Sequence, residues 1–448
     1  MNNGRRGFPG VTPGPRAVVA RDVTQIARPG SRVETEPDAA PSWSLKPCIA
    51  YLMIEFGRPM AWIPPLALIR PGMLVGIWAI AATLSRGMRR AIPRPLWYMF
   101  AFLSLMALQV PFAMNNAWAF WGFQDFAILV LGGVLPLAML PRDLNDLRRL
   151  MTAYFLCHLF AAIYGLLHAG RGLDGWMGDE NDLALALNAA VGVGVYLLNE
   201  SRGFIRKLLL LASLGVMLAA VVATKSRGGF VGLAALGLYM LLAGPKRGRI
   251  LIAVLLVAVC FAAFAPSSYW SEVKSIDKAA DKGDTGEARI YLWKMAWRMF
   301  LDYPIAGVGM KNFGIRAPEY ESVERAEIEG QHSWGRVAHS LYFTLIPEHG
   351  LIGISLFVAL LIWTFRTGSR LRRGGLKTPD DPDAVSVGLL AAGLTSGIVA
   401  MLITGIFVAV LYYPVLWVLV GMLAGLDAIR PERAKALGGV PVVSPRSR

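Results

Sequence analysis

The sequence predicts an all-α polytopic membrane protein of about twelve transmembrane helices with one large polar helical loop. Three observations predict this class. Hydrophobic residues make up 55% of the 448 and charged residues only 17%, where a soluble domain carries about a quarter charged residues. Mean hydropathy is +0.49. The apolar residues fall into runs of membrane-crossing length, interrupted once by a mixed-charge island at residues 267–338.

Residues 1–42 are rich in Arg, Pro and Gly and lack a contiguous apolar stretch. They read as a disordered cytoplasmic tail, not a cleavable signal peptide. Apolar runs follow at 45–69, 71–85, 95–114, 119–140, 147–169, 181–199, 205–224, 229–244 and 249–266, so residues 43–266 hold the first nine helices. The first run contains Glu55, Arg58, Pro64 and Pro65, and is expected to be broken. After the island, runs at 339–366, 385–407 and 409–428 place three more helices within residues 339–429. Residues 430–448 form a second cytoplasmic tail.

Alternate linkers are basic. They carry Arg86, Arg89, Arg90 and Arg94; then Arg142, Arg148 and Arg149; then Arg202, Arg206 and Lys207; then Lys246, Arg247 and Arg249; then Arg366 to Lys377. By the positive-inside rule this set is cytoplasmic, and the island lies outside, in the periplasm if the cell is Gram-negative. The island's ten basic and eleven acidic residues nearly balance, as suits an exported segment. The net charge of +15 lies mostly in the short linkers, so it points to anionic membrane lipids and not to nucleic acid.

The three cysteines (Cys48, Cys157, Cys260) are far apart and offer neither a disulfide framework nor metal spacing. The outer segments contain no DxD pair, HExxH, Walker loop or GxSxG elbow. A metal- or ATP-driven mechanism has no support there, and no cofactor is expected.

Residues 284–300 are helical by pattern, with Asp284 as cap and Glu287 completing a capping box. Arg289, Trp293, Trp297 and Phe300 fall on one face. Two readings stay open: a face on the bilayer whose arginine reaches a lipid phosphate, or an amphipathic lid whose arginine snorkels. Lys225 and Arg227, in the turn Thr224-Lys-Ser-Arg-Gly-Gly, put two cations on the non-cytoplasmic side, against the usual bias. An outer anionic ligand would account for them, as would a simple hairpin connection. His339 opens a span in Arg336-Val-Ala-His-Ser-Leu-Tyr342. The helix N-terminus and nearby arginines disfavour imidazolium, and a neutral imidazole there suits proton transfer from a hydroxyl. A satisfied interfacial histidine is the alternative. His332 is a weaker candidate, and His158 and His168 read as packing or pore residues. Glu348 is costly in lipid and must face protein or water; nine residues place it out of phase with His339.

Four blocks together resemble the O-antigen ligase and polymerase superfamily: Thr224–Gly229, Ala288–Trp293, Tyr303–Phe313 with its Gly307-Val-Gly309, and Ala338-His339-Ser-Leu-Tyr-Phe with Glu348-His-Gly350. The stretch Gly178–Asn188 also resembles a ligase subgroup linked to exosortase systems. The usual His-Asn pair is His339-Ser340 here. The resemblance implies a fold of the membrane-embedded glycosyltransferase type and a metal-independent, inverting enzyme of the bacterial inner membrane. It would move an undecaprenyl-diphosphate-linked O-antigen onto a sugar hydroxyl of lipid A–core at the periplasmic face. Arg227 and Arg289 would match the family arginines that hold the donor diphosphate, and His339 the proposed general base. Lys225, Arg336, Tyr342, Glu348 and Trp293 are secondary candidates. A polymerase or protein O-oligosaccharyltransferase of the same superfamily stays open, as does, more distantly, a lipid-linked glycan transporter.

Overall fold

The computed structural model describes residues 45–85, 91–243, 248, 285–322 and 333–436. The tail at 1–42, the run at 249–266, Asp284, His332, Cys260 and the last residues of the chain lie outside them. Among the described residues the regular elements are all helical, as expected of an all-α membrane protein. They are α1 (Lys46–Gly57), α2 (Pro71–Ser85), α3 (Arg94–Gln109), α4 (Asn116–Met139), α5 (Leu144–Leu167), α6 (Glu180–Glu200), α7 (Phe204–Ala223), α8 (Arg227–Ala243), α9 (Thr285–Asp302), α10 (Leu341–Lys377), α11 (Pro382–Thr404) and α12 (Pro414–Ala436).

Seven of them (α3 to α7, α10 and α11) are long and apolar enough to cross a membrane. Shorter apolar helices, Pro71–Ser85, Arg227–Ala243 and Pro414–Ile429, correspond to three further runs. The first run is broken as its charges and prolines suggested. α1 stops after twelve residues at Arg58, which is left-handed at φ 45°. Short 3-10 turns at Pro59–Ala61 and Pro64–Ile69 then carry the chain to Arg70, also left-handed.

α6 and α11 form the buried centre, where small residues allow backbone contact. A Cβ on Gly397 would stand 2.7 Å from the Ala189 carbonyl oxygen, and one on Gly192 would stand 2.8 Å from the Gly397 nitrogen. α10 packs beside α11 and α3, and α8 lies along α11. Within α4, Ile128–Val134 adopts a π-helical turn, and Gly132 there meets Gly76 of α2 backbone to backbone.

Among the described residues, the starts of α5 and α11 and the end of α6 meet at one end. Arg148 of α5 binds Glu200 of α6 at 2.6 Å and the Ser386 hydroxyl of α11 at 2.9 Å. The charge-poor or mixed linkers gather at the other. There the Ser226 hydroxyl donates to Asn181 Oδ1 at 2.7 Å, the Asn115 backbone N–H donates to Asn312 Oδ1 at 2.8 Å, and the Leu341 N–H donates to the Gly405 carbonyl at 2.7 Å. The described part of the island shares this end. It has its own small core, with Leu292, Met295, Ala296 and Met299 of α9 packed on Val308, Phe313, Ala317 and Ala338.

α10 is kinked. Pro347 supplies no N–H, and Gly350 leaves the helical region at φ 57° and ψ −159°. Backbone groups freed inside a membrane protein must find partners. The segment Pro304–Gly309 provides them: the Val308 N–H donates to the Pro347 carbonyl, Gly309 to Glu348, and in return Leu351 and Ile352 donate to the Pro304 and Ile305 carbonyls. Gly307, at φ 73°, is required by this contact, because a Cβ there would overlap the Glu348 carbonyl carbon. The Tyr-Pro-Ile-Ala-Gly-Val-Gly block is therefore the splint of a broken helix.

Candidate functional site

His339 sits immediately before the α10 N-cap in the left-handed region, φ 48°. Left-handed non-glycine backbone persists where its surroundings over-determine it. On one side the Trp293 indole N–H donates to the Ala338 carbonyl at 2.9 Å, and its ring stacks on Phe343 at 4.9 Å and 8°. On the other, the Ser340 hydroxyl accepts the Phe343 N–H and caps α10. The Ser340 carbonyl accepts both the N–H and the hydroxyl of Thr344. Ser340 thus supplies a helix cap.

His339 is exposed at the surface, and its pKa lies below the ordinary 6.5. Partial loss of hydration is the largest cause, followed by the positive field of Arg289; Asp179 opposes the shift and Arg336 adds to it. The lowered pKa favours the neutral imidazole, and three charged groups act on it. Two of them, Arg289 and Arg336, were candidates. Asp179 was not, although it lies in the mixed-charge linker before α6.

A polar chain links Asp179 to the turn that carries Arg227. Asp179 Oδ1 caps α6 and accepts from the backbone and side-chain N–H groups of Asn181 at 2.8 and 2.9 Å. Asn181 Oδ1 accepts from Ser226, whose oxygen accepts the Gly229 N–H at 3.0 Å. The Asn188 amide donates to the Gly229 carbonyl at 2.7 Å. The two sequence blocks Gly178–Asn188 and Thr224–Gly229 therefore form one unit, with half-buried Arg227 as first residue of α8 and exposed Lys225 at φ 55° beside it.

Other candidates fall elsewhere. Tyr342 donates to the Leu402 carbonyl at 3.0 Å and braces α10 on α11. Glu348 is buried and turned to protein, apart from His339: its Oε1 accepts the Phe313 N–H at 3.2 Å, and its Oε2 meets the Tyr412 hydroxyl. Tyr412 also bonds His349 Nε2 at 2.7 Å, and His349 Nδ1 bonds Gln109 at 3.0 Å. Trp297, expected on a face with Arg289 and Trp293, points out. α9 turns Arg289 and Trp293 toward the His339 loop and leaves Ile290, Trp297 and Leu301 exposed. His158 and His168 are packing residues, against Phe56 and Tyr164.

A cavity of about 1090 Å³ opens beside this site, between the α1–α2 corner, the start of α4 and residues 310–314 and 335–338. Arg336 and Glu348 line it, and Ala338 brings its wall to the residue before His339. No group of three His, Cys, Asp or Glu among the described residues is arranged to hold a metal ion.

Fold and site together define a multi-pass helical membrane protein with His339 and the arginines that act on it beside a cavity at one end. Residues 187–358, which carry Arg227, Arg289, Arg336, His339 and Glu348, match the Wzy_C family, O-antigen ligase. Members of this family are glycosyltransferase-like enzymes that act on lipid-linked glycans in a membrane. A search of curated proteins found no match.

Proposed function

We infer that the protein is an O-antigen ligase, transferring a glycan from undecaprenyl diphosphate to a sugar hydroxyl of lipid A–core at the periplasmic face of the inner membrane. The observation that carries this reading is the convergence of Arg289 and Arg336 on His339 within the matched segment. The leaving group is a lipid diphosphate, which gains negative charge as its glycosidic bond breaks. Arg289 and Arg227 stabilise that charge without a metal, and one such contact is worth about 2.7–4 kcal/mol of barrier. Arg336 adds to the same field. His339 takes the acceptor proton, a contribution of about a hundred- to ten-thousand-fold. A single displacement inverts the anomeric centre. The exposed apolar face of α9 would rest on the outer leaflet.

The test is transfer by purified protein from undecaprenyl-diphosphate-linked glycan, with lipid A–core or a protein as acceptor and excess chelator present. Ligase activity predicts product on lipid A–core alone, undiminished by the chelator. Chain extension of the donor would instead favour a polymerase, and product on protein an oligosaccharyltransferase. The likeness of Gly178–Asn188 to the exosortase-linked subgroup favours a different polysaccharide acceptor as second reading; no transfer to lipid A–core would support it.

A further inference from the structure

The break in the first span plays no part in the chemistry above. Arg58 and Arg70 occupy left-handed backbone at φ 45° and 47°, where glycine or asparagine would be tolerated more readily. Both arginines line the cavity, so their side chains explain the choice. Arg58 packs on Gly175, where a Cβ would overlap the guanidinium. Its Nε is buried with no hydrogen-bond partner among the described residues. The Nε itself is shut away from the cavity, so the rest of the guanidinium is what this wall presents to a ligand.

The opposite wall presents Trp118 and Trp121, both well exposed, with Arg70 5.9 Å from the Trp121 ring centre. The cavity's charges balance: Arg58, Arg70, Lys311 and Arg336 face Glu55, Asp125, Asp174 and Glu348. A polyanion would meet as many acids as bases. Sugar hydroxyls both donate and accept, so they satisfy both sets, and the apolar face of a pyranose ring packs on an indole. A volume of about 1090 Å³ lies at the upper end for small-ligand pockets and holds more than one sugar ring. Exposed Leu68 and Ile69 of the corner suit a ligand whose remainder lies in lipid.

We propose that the cavity walled by the broken first span is the acceptor-oligosaccharide site, with Arg58 and Asp174 bonding ring hydroxyls and Trp121 stacking on a ring. This rests on the ligase reading. The probe is delipidated core oligosaccharide, added to the full-length protein in detergent and followed by tryptophan fluorescence, with inorganic pyrophosphate as competitor. Binding is expected in the wild type and in His339→Ala. Trp121→Ala and Asp174→Asn should each weaken it at least tenfold, and pyrophosphate should leave it unchanged. In transfer assays the same variants should raise KM for acceptor with kcat and donor KM unchanged. Trp121 is exposed, and Asp174→Asn keeps a side-chain oxygen to accept the Gly175 N–H, so both variants should fold. Unchanged acceptor binding and KM in both variants, or displacement of the oligosaccharide by pyrophosphate, would overturn the proposal. Oligosaccharide binding without transfer to any acceptor would overturn the ligase reading and leave the sugar site standing.

Discussion

Trp293 should control catalysis without touching substrate. Its indole donates to the Ala338 carbonyl at 2.9 Å and stacks on Phe343 at 4.9 Å, fixing the peptide before His339. The hydrogen bond contributes about 0.5–1.5 kcal/mol and the stack about 0.5–1.5 kcal/mol. Left-handed backbone at His339 costs of order 1–3 kcal/mol, the same size as what Trp293 supplies. Without Trp293 the loop should relax and the imidazole leave its place. At 1.36 kcal/mol per tenfold, Trp293→Ala should lower kcat roughly 5- to 150-fold, and Trp293→Phe, which keeps the stack, roughly 2- to 12-fold. The assay is single-turnover transfer from a lipid-linked glycan, with thermal unfolding in detergent to confirm an intact fold. Wild-type kcat in a folded Trp293→Ala protein would refute the argument.

Three further outcomes follow from the same geometry. The acid limb of the pH–rate profile should lie below 6.5, because the base works when neutral and its pKa is lowered; Arg289→Ala should move the limb up and Asp179→Asn should move it down, read from kcat/KM against pH. Ser340→Ala removes the α10 cap and should cost about 1 kcal/mol, while Ser340→Asn should be nearly neutral, both measured by thermal unfolding in detergent. Gly397→Val should drive a side chain into the Ala189 carbonyl and cost about 1–3 kcal/mol, whereas Gly215→Ala, with nothing within 4 Å, should gain up to about 1 kcal/mol from helix propensity.

Local chemistry made much of this legible in advance. Glu55, Arg58, Pro64 and Pro65 within an apolar run announced the broken first span, and the expense of a carboxyl in lipid announced that Glu348 faces protein or water. Among the described residues, the mixed and charge-poor linkers meet at one end, in keeping with their alternation with basic ones. Asp179 was not legible as a partner of His339, since the two are 160 positions apart and nothing in the linker marks its target. The chain from Gln109 through His349 and Tyr412 to Glu348 was hidden for the same reason: its members come from three distant segments. The face of α9 was half right. Helical spacing groups Arg289, Trp293 and Trp297, but only contact with Phe343 and Ala338 decides that the first two turn inward.

The most direct test of the central claim is donor binding and single-turnover transfer in His339→Ala, alongside Arg289→Ala, with the same undecaprenyl-diphosphate-linked glycan. His339→Ala should bind the donor as tightly as wild type and transfer nothing measurable, and Arg289→Ala should bind it more weakly. Wild-type transfer by His339→Ala would contradict the assignment of this site.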